Sequence, residues 1–243
     1  MLALITGTAL QTVLPAPSAV YYRNTPFGAP SAPVRKVELG GGEVLSLTRH
    51  GLGGSIAAHL VNYRANVWAL KELGATRILA TATVGGIDRS LRVGDLVVPN
   101  QIIDYTSGRE QTYVGSTRIN HFDLTSPFDA MLRDGLLRAL PGDFEAPQHR
   151  SGVYAVTQGP RFETAAEIDR YRKDGCTLVG MTLMPEAALA RELEVPYAAV
   201  CLVVNPAAGV EAGDIDIPET AVVTEKAIGG LKRYLELAIE LLH

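Results

Sequence analysis

Two short segments of the chain combine a flat apolar side chain with polar groups. Residues 158–164 contain Phe162 and Glu163, and residues 204–209 contain Asn205. A planar heterocycle needs a flat apolar surface for its ring and a few placed polar groups for its edge. An ionised Glu163 only accepts hydrogen bonds, whereas Asn205 both accepts and donates. This combination suits a purine with a protonated N1 and a carbonyl at C6, such as hypoxanthine or guanine, and it suits adenine poorly.

Donors suited to an anion occur in four further segments. Hydroxyls, an arginine, a histidine and glycine amides are the groups that a phosphate dianion requires. They lie in residues 6–8, 49–51, 82–86 and 181–182. Each segment alone is more often a turn, a surface pair or a bulge, just as Phe162 alone is more often a core residue. Their common placement after successive predicted strands favours function, because ligands collect beyond the carboxyl ends of strands in α/β sheets.

The elements that must position these residues alternate along the chain. Apolar runs predict strands at residues 2–5, 34–39, 44–48, 77–84, 96–99, 101–104, 152–157, 176–181 and 197–204. Helical spacing predicts helices at 61–73, 130–140, 164–173, 185–193 and 220–242. Residues 15–33 and 105–127 read as loops, and the second is long enough to be functional. The alternation predicts one α/β domain, residues 1–243, around a mixed central sheet.

Composition excludes several classes of protein. The 243 residues are 47% hydrophobic and 20% charged with a net charge of −4, so no basic field favours nucleic acid or anionic lipid. No run approaches the ~20 apolar residues of a membrane helix, and residues 1–19 lack the positive charge that opens a secretory signal. Cys176 and Cys201 stand outside any metal-ligand spacing and predict buried, reduced thiols in a cytoplasmic protein.

The motifs together resemble the trimeric purine nucleoside phosphorylase and methylthioadenosine phosphorylase family, from Thr8 to about Asn205. The similarity is carried by the segments at 49–51 (RHG), 61–71 (VNYRANVWALK), 93–97 (VGDLV), 101–104 (QIID), 159–164 (GPRFET), 180–182 (GMT) and 184–193 (MPEAALAREL). The overall pattern is closest to the methylthio-nucleoside branch. Residues 104–110, 163–164 and 205–209 are similar to the bacterial members of that branch that cleave methylthioinosine.

The resemblance implies a nucleoside phosphorylase-like fold, with a partly barrel-like sheet flanked by helices, in a homotrimer. It implies that phosphate is a co-substrate and that no metal or organic cofactor is needed. The implied phosphate-binding residues are Thr8, Arg49, His50, Ala82, Thr83 and Thr182. The implied nucleoside-binding residues are Phe162, Glu163, Met181, Asn205, Pro206 and Ala207, with Ile217 at the 5′ end and His121 reaching into a neighbouring subunit's pocket. Asn205, Glu163 and His50 are the expected catalytic residues.

Three departures from the methylthioadenosine-specific members point to a different base. Those members carry a small hydroxyl residue at the position of Glu163 and acidic residues at the positions of Asn205 and Ala207. The substitutions shift the expected base from a 6-aminopurine to a 6-oxopurine. A fourth departure is Gly54, which stands where a histidine is usual and predicts a small, flexible loop at residues 52–58.

Four alternatives to a methylthioinosine phosphorylase stay open. The chain could be a general inosine/guanosine phosphorylase, differing only at the 5′ end of the nucleoside, or a methylthioadenosine phosphorylase. It could also be a nucleoside- or phosphate-binding module that has lost turnover, which only the glycine-rich loop favours. A dinucleotide-dependent dehydrogenase is disfavoured, because no complete glycine fingerprint occurs.

Overall fold

The computed structural model describes residues 1–7, 10, 12–115, 119–139 and 148–242. Within these residues, eleven strands form one mixed sheet. The strands are β1 (Leu2–Thr6), β2 (Ala19–Tyr21), β3 (Val34–Leu39), β4 (Gly42–Thr48), β5 (Arg77–Gly86), β6 (Leu96–Val97), β7 (Gln101–Asp104), β8 (Gln148–His149), β9 (Val153–Val156), β10 (Leu178–Gly180) and β11 (Tyr197–Pro206). The prediction of a mixed central sheet is confirmed.

Five α-helices in the described part of the chain pack against this sheet. They are α1 (Tyr63–Glu72), α2 (Ala130–Arg138), α3 (Ala165–Lys173), α4 (Leu183–Glu192) and α5 (Ile217–Leu242), with a short 3₁₀ helix at Ala58–Leu60. Local chemistry sets several of their ends. The Asn62 side chain caps α1 by accepting from the Ala65 N–H, and a capping box of Thr164 and Glu167 starts α3. None of the helices in this part of the chain is long and apolar enough to cross a membrane.

The long strand β5 is the centre of the sheet. It pairs with β1 on one side and with β11 on the other, and both pairs are parallel. β1 also runs parallel to β4, so the carboxyl ends of all four strands meet at one edge. At that edge the last two residues of β5, Gly85 and Gly86, pair with the antiparallel strand β10.

The sheet also closes partly on itself. β11 pairs with β6, and after residues 98–100 the chain continues as β7, which pairs with β9. β9 pairs with β10, which returns to β5. This ring of pairings confirms the expected barrel-like character.

Two buried layers cover the faces of the sheet. In β1, Ala3 and Ile5 belong to the layer that contains α1 and α4, whereas Leu2 and Leu4 belong to the layer that contains α2 and α5. Because both faces are covered, β1 and β11 read in sequence as continuous apolar runs rather than as alternating patterns. Cys176 and Cys201 are free and buried, as predicted.

The predicted elements are all present, with differences at their ends, and the described residues add two strands and the 3₁₀ helix at Ala58–Leu60. β2 lies within the segment predicted as loop, and the two-residue β8 was not predicted, because runs this short carry no readable period. α5 begins at Ile217 rather than at residue 220, and β11 extends to Pro206 across an irregularity between Val203 and Asn205. The end of the helix predicted at residues 130–140 falls outside the described residues.

Candidate active site

A cavity of about 800 Å³ opens at the edge where β1, β4, β5 and β11 end. Its wall contains ten of the predicted site residues. These are Arg49, His50, Ala82, Thr83, Phe162, Glu163, Met181, Thr182, Asn205 and Ala207. Thr8 lies outside the described residues, although its neighbour Gly7 lines the cavity. The structure thus brings the two sets of residues, those suited to a base and those suited to an anion, into one space.

Arg49 is held at the cavity wall by a buried carboxylate. The guanidinium donates to both oxygens of Glu186, from Nε to Oε1 and from Nη2 to Oε2, and Nη1 donates to the Thr81 carbonyl at 2.9 Å. The side chains of Arg49 and Glu186 are 1% and 0% exposed. Three of the five N–H groups of a guanidinium are used in this way, which leaves two for an anion.

The same contacts with Glu186 stabilise the positively charged form of Arg49. Burial acts to lower the pKa of Arg49, but the charge of Glu186 and its hydrogen bonds outweigh it and hold the pKa above the ordinary value. Glu186 also accepts from the Tyr197 hydroxyl at 2.9 Å. We did not identify Glu186 from the sequence. The signal was a single carboxylate within an apolar helical stretch, which is typical of a buried, paired charge.

His50 is oriented by the loop that follows it. The Nδ1 of His50 lies 2.9 Å from the Ile56 carbonyl, and the Ile56 N–H donates to the His50 carbonyl at 3.0 Å. Burial and the adjacent Arg49 charge hold the pKa of His50 below its ordinary value. A neutral imidazole that donates from Nδ1 keeps Nε2 as an acceptor for the cavity that His50 lines. The glycine-rich loop therefore folds back on the site, and Gly54 and Ile56 are part of the cavity wall.

The base-edge residues are each held by one neighbour. The Thr157 hydroxyl donates to Oε1 of Glu163 at 2.6 Å, and Nδ2 of Asn205 donates to the Pro206 carbonyl at 2.6 Å. One amide N–H and the carbonyl oxygen of Asn205 stay available, because a carboxamide has two N–H groups. Pro206 does not line the cavity itself and acts here through its carbonyl.

Phe162 and Met181 supply apolar surface. Phe162 is 39% exposed although it lines the cavity, which fits a ring that is covered only when a ligand packs on it. Met181 lies against Gly159, whose φ is +63°, and a Cβ at Gly159 would come within 2.5 Å of the Met181 sulfur. A glycine at position 159 is therefore needed both for the turn and for the place of Met181.

Arg109 connects the long loop to the site. Its Nη1 donates to the carbonyls of Met181 and Met184, both at 2.8 Å, and its Nη2 donates to those of Thr157 and Gln158 at 3.1 and 2.9 Å. In the described part of the chain no carboxylate pairs with this charge. The sequence indicated that the loop is functional but did not identify this residue, because its partners are backbone atoms.

The two residues expected at the 5′ end, Ile217 and His121, do not line the cavity of their own chain. Ile217 is 61% exposed and does not line the cavity of its own chain, so its role at the 5′ end stays a prediction. Helix α5 starts at Ile217, and its residues reach the cavity only from about one turn further along the helix. The residues of α5 that line the cavity are Thr220, Ala221, Glu225, Ile228 and Leu231. His121 is exposed and does not line the cavity of its own chain, which leaves its predicted role in a neighbouring subunit as a prediction.

Among the described residues, no group of three or more His, Cys, Asp or Glu side chains could hold a metal ion. The groups that surround the cavity are hydroxyls, amides, the carboxylates of Glu163 and Glu225, one guanidinium and one imidazole. Such a set can bind an anion at one end and a planar polar edge at the other.

Comparison with known proteins agrees with this arrangement. The family model of the phosphorylase superfamily matches residues 2–240. The probable S-methyl-5′-thioinosine phosphorylase of Pseudomonas syringae pv. tomato is 48% identical over 214 residues, which are 87% of this chain and 87% of that protein. The 6-oxopurine nucleoside phosphorylase of Pyrococcus furiosus is 42% identical over 225 residues, which are 90% of this chain and 84% of that protein.

Structural similarity extends over nearly the whole chain. A structure of methylthioadenosine phosphorylase from Schistosoma mansoni in complex with adenine superposes with a TM-score of 0.92 at 32% identity, covering 99% of this chain and 91% of that one. The resemblance stated from the motifs is confirmed, and the chain belongs to the phosphorylase superfamily.

Proposed function

We propose that the protein catalyses phosphate-dependent cleavage of the N-glycosidic bond of a 6-oxopurine nucleoside, with S-methyl-5′-thioinosine as the preferred substrate. A phosphate oxygen forms a bond to C1′ while the N9–C1′ bond breaks. The products are S-methyl-5-thioribose 1-phosphate and hypoxanthine, whose N7 takes up, through solvent, the proton that hydrogen phosphate loses. The observation that carries the proposal is the presence of Glu163 and Asn205 in the same cavity as Arg49 and His50.

The base end supports a leaving group that is a 6-oxopurine. Negative charge develops on the base as the glycosidic bond breaks. Asn205 accepts from N7–H through its carbonyl oxygen and donates to O6 through its free N–H, and Glu163 accepts from N1–H. A placed donor aimed at developing charge contributes about 10²–10³ in rate. Asn205 supplies this donor through its N–H to O6, and Glu163 contributes by holding the base in place through N1–H.

The anion end supports phosphate as the nucleophile. Arg49 offers two N–H groups, Thr83 and Thr182 offer hydroxyls, and His50 offers an acceptor for a protonated phosphate oxygen. Placing phosphate and nucleoside in one cavity replaces an encounter in solution, which is itself a large part of the catalysis. We propose that no metal or organic cofactor takes part. Arg49 balances the negative charge of phosphate, and Asn205 stabilises the negative charge that develops on the leaving base.

The wall supplied by α5 supports a 5′-methylthio group. Ile228 and Leu231 are buried apolar residues at the cavity, and Leu10 joins them. A thioether is favoured next to such side chains, whereas a hydroxyl loses its hydrogen bonds with water there. Thr12, Thr220 and Glu225 line the same cavity and favour the second candidate, a general 6-oxopurine nucleoside phosphorylase.

We further infer a homotrimer that works in the cytoplasm in purine salvage. The trimer is supported by the similarity to a trimeric family and by the exposure of His121, which fits a residue that serves a neighbouring subunit. The cytoplasmic location is supported by two free, buried cysteines.

The proposed function is tested by measuring release of free base with and without inorganic phosphate. The substrates are methylthioinosine, methylthioadenosine, inosine, guanosine and adenosine. We expect phosphate-dependent release of hypoxanthine from methylthioinosine with the highest kcat/KM of the five. A higher kcat/KM for inosine identifies the general 6-oxopurine phosphorylase, and a higher value for methylthioadenosine contradicts the assignment of the base edge. If no free base is released from any of the five nucleosides, the proposal that the protein is a nucleoside phosphorylase is contradicted.

A further inference from the structure

The hydroxyl of Thr157 has one partner that dominates. It lies 2.6 Å from Oε1 of Glu163 and 3.5 Å from the Gly180 carbonyl. A hydroxyl carries a single hydrogen, so it donates along the shorter contact. A distance of 2.6 Å is typical of donation to a charged oxygen, about 2.5–2.7 Å. Thr157 therefore holds Oε1 of the Glu163 carboxylate.

Thr157 is itself fixed in place. It is 6% exposed, its N–H donates to the Gly180 carbonyl at 2.9 Å, and its own carbonyl accepts from Arg109 at 3.1 Å. The branched Cβ restricts rotation about χ1. The direction of the Thr157 hydroxyl is thus set by the backbone, and it sets the direction of the Glu163 carboxylate in turn.

No cation competes with Thr157 for this carboxylate among the residues that the structure describes. The nearest candidate along the chain, Arg161, donates instead to both oxygens of Glu167, each at 2.8 Å. Glu167 is fixed in turn by the capping box of α3. Arg161 therefore forms no hydrogen bond with Glu163, and the second oxygen, Oε2, has no hydrogen-bond partner in the described part of the chain.

We infer that Thr157 is a positioning residue that gives the site its preference for 6-oxopurines. Because Thr157 occupies Oε1, Glu163 presents Oε2 to the base as an acceptor only. A 6-oxopurine offers N1–H to that oxygen, whereas the unprotonated N1 of a 6-aminopurine faces it with a second lone pair. The inference rests on the proposed function for the identity of the base, but it concerns binding and does not require turnover.

The test compares the dissociation constants of hypoxanthine and adenine, measured by calorimetry, in wild type, Thr157→Val and Thr157→Ser. Valine keeps the shape and removes the hydroxyl. A hydrogen bond to a charged group contributes about tenfold or more in binding. We expect Thr157→Val to weaken hypoxanthine about tenfold or more, to change adenine by less than about threefold, and Thr157→Ser to restore wild-type values. Thr157→Ala takes the place of the valine variant if that variant does not fold.

A double-mutant cycle with Glu163→Ala separates positioning from a general structural role. If Thr157 acts through Glu163, the Thr157→Val change has no further effect on hypoxanthine binding once Glu163 is alanine. Thr106→Val is the matched control, since the Thr106 hydroxyl has no partner in the described part of the chain. We expect it to leave the ratio of the two dissociation constants unchanged.

The possible results are distinct. Equal weakening of hypoxanthine and adenine in Thr157→Val, or the same weakening in the Glu163→Ala background, overturns the inference. Failure of the wild type to release base in the phosphate-dependent assay contradicts the proposed function, while the binding ratios still decide the role of Thr157.

Discussion

Arg49 must present a positive charge to the cavity although its side chain is almost fully buried. An isolated buried charge is costly, so the guanidinium depends on Glu186, which accepts two of its N–H groups. The same carboxylate orients the two N–H groups that remain for phosphate. We therefore expect Glu186 to affect the binding of phosphate without touching it.

We predict that Glu186→Gln raises the KM for phosphate about tenfold or more and lowers the free energy of unfolding by about 3 kcal/mol, because one charge of a buried pair is left without its partner. The KM for the nucleoside should change much less. Steady-state kinetics with each substrate varied in turn measure the difference. Glu192→Gln, the same change on the same helix in a residue that accepts from Thr112 and Tyr113, is the control. Equal changes of both KM values would show that Glu186 is only structural.

Asn205 is predicted to decide which base leaves. In Asn205→Asp, a protonated carboxyl donates to N7 and its other oxygen accepts from an exocyclic amine. We expect the ratio of kcat/KM for inosine to that for adenosine to fall about tenfold or more. If the ratio stays the same, the assignment of Asn205 to the base edge is wrong.

His50 makes stability depend on pH. Its pKa in the folded protein lies below its value in the unfolded chain, near 6.5. As the pH falls below about 6.5, the unfolded state binds a proton that the folded state does not, so the free energy of unfolding decreases. The decrease levels off below the folded pKa. We expect the melting temperature of wild type to fall more than that of His50→Asn between pH 7.5 and 5.5, and parallel curves would contradict this.

At the scale of elements, the loop before α2 holds the site together through Arg109. The two terminal nitrogens of Arg109 donate to backbone carbonyls in the segments that follow β9 and β10. The carbonyls belong to Thr157, Gln158, Met181 and Met184. These segments carry Phe162, Glu163 and Met181, the residues proposed to bind the base and the ribose. A loop with no helix or strand in its described part therefore sets the distance between two walls of the cavity.

We predict that Arg109→Lys lowers kcat/KM for the nucleoside about tenfold and speeds amide hydrogen exchange in residues 158–163 and 181–184. Lysine keeps the charge but not the planar fork that reaches both segments. Arg64→Lys is the control, because Arg64 pairs with the exposed Glu110 on the same loop. Unchanged exchange in both segments would remove Arg109 from this role.

At the scale of the whole molecule, the topology explains why the residues suited to an anion and those suited to a base line one cavity. β1, β4, β5 and β11 end at the same edge, which collects the anion donors, and β10 meets β5 at that edge. β9 runs beside β10 and brings Thr157 and Glu163 to the same place. The base end and the anion end are joined because the barrel-like ring shares β5 with the open sheet.

We expect light scattering to give a mass three times that of the 25.9 kDa chain. In such a trimer, His121→Ala should raise the KM for methylthioinosine while the dissociation constant of hypoxanthine stays the same, because the base end lies within one chain. A fully active monomer, or equal effects on the nucleoside and the free base, would contradict the assigned role of His121.

The sequence by itself determined the elements, the family and ten residues of the cavity wall. Continuous apolar runs predict strands covered on both faces. The hydrogen-bonding and packing chemistry of Phe162, Glu163 and Asn205 follows from their residue types alone. The sequence did not predict that helix α5 begins at Ile217, because the start of a helix after a loop is not fixed by local period. The role of Ile217 at the 5′ end stays a prediction.

The tertiary structure alone decided how those residues are held. Glu186 meets Arg49 across 137 residues of chain, Arg109 binds carbonyls that any sequence would have, and Thr157 reaches Glu163 through the turn at Gly159. Such contacts depend on the packing of distant segments and on backbone atoms, and neither leaves a pattern in the order of side chains. What each residue can do is local, and which partner directs it is a property of the fold.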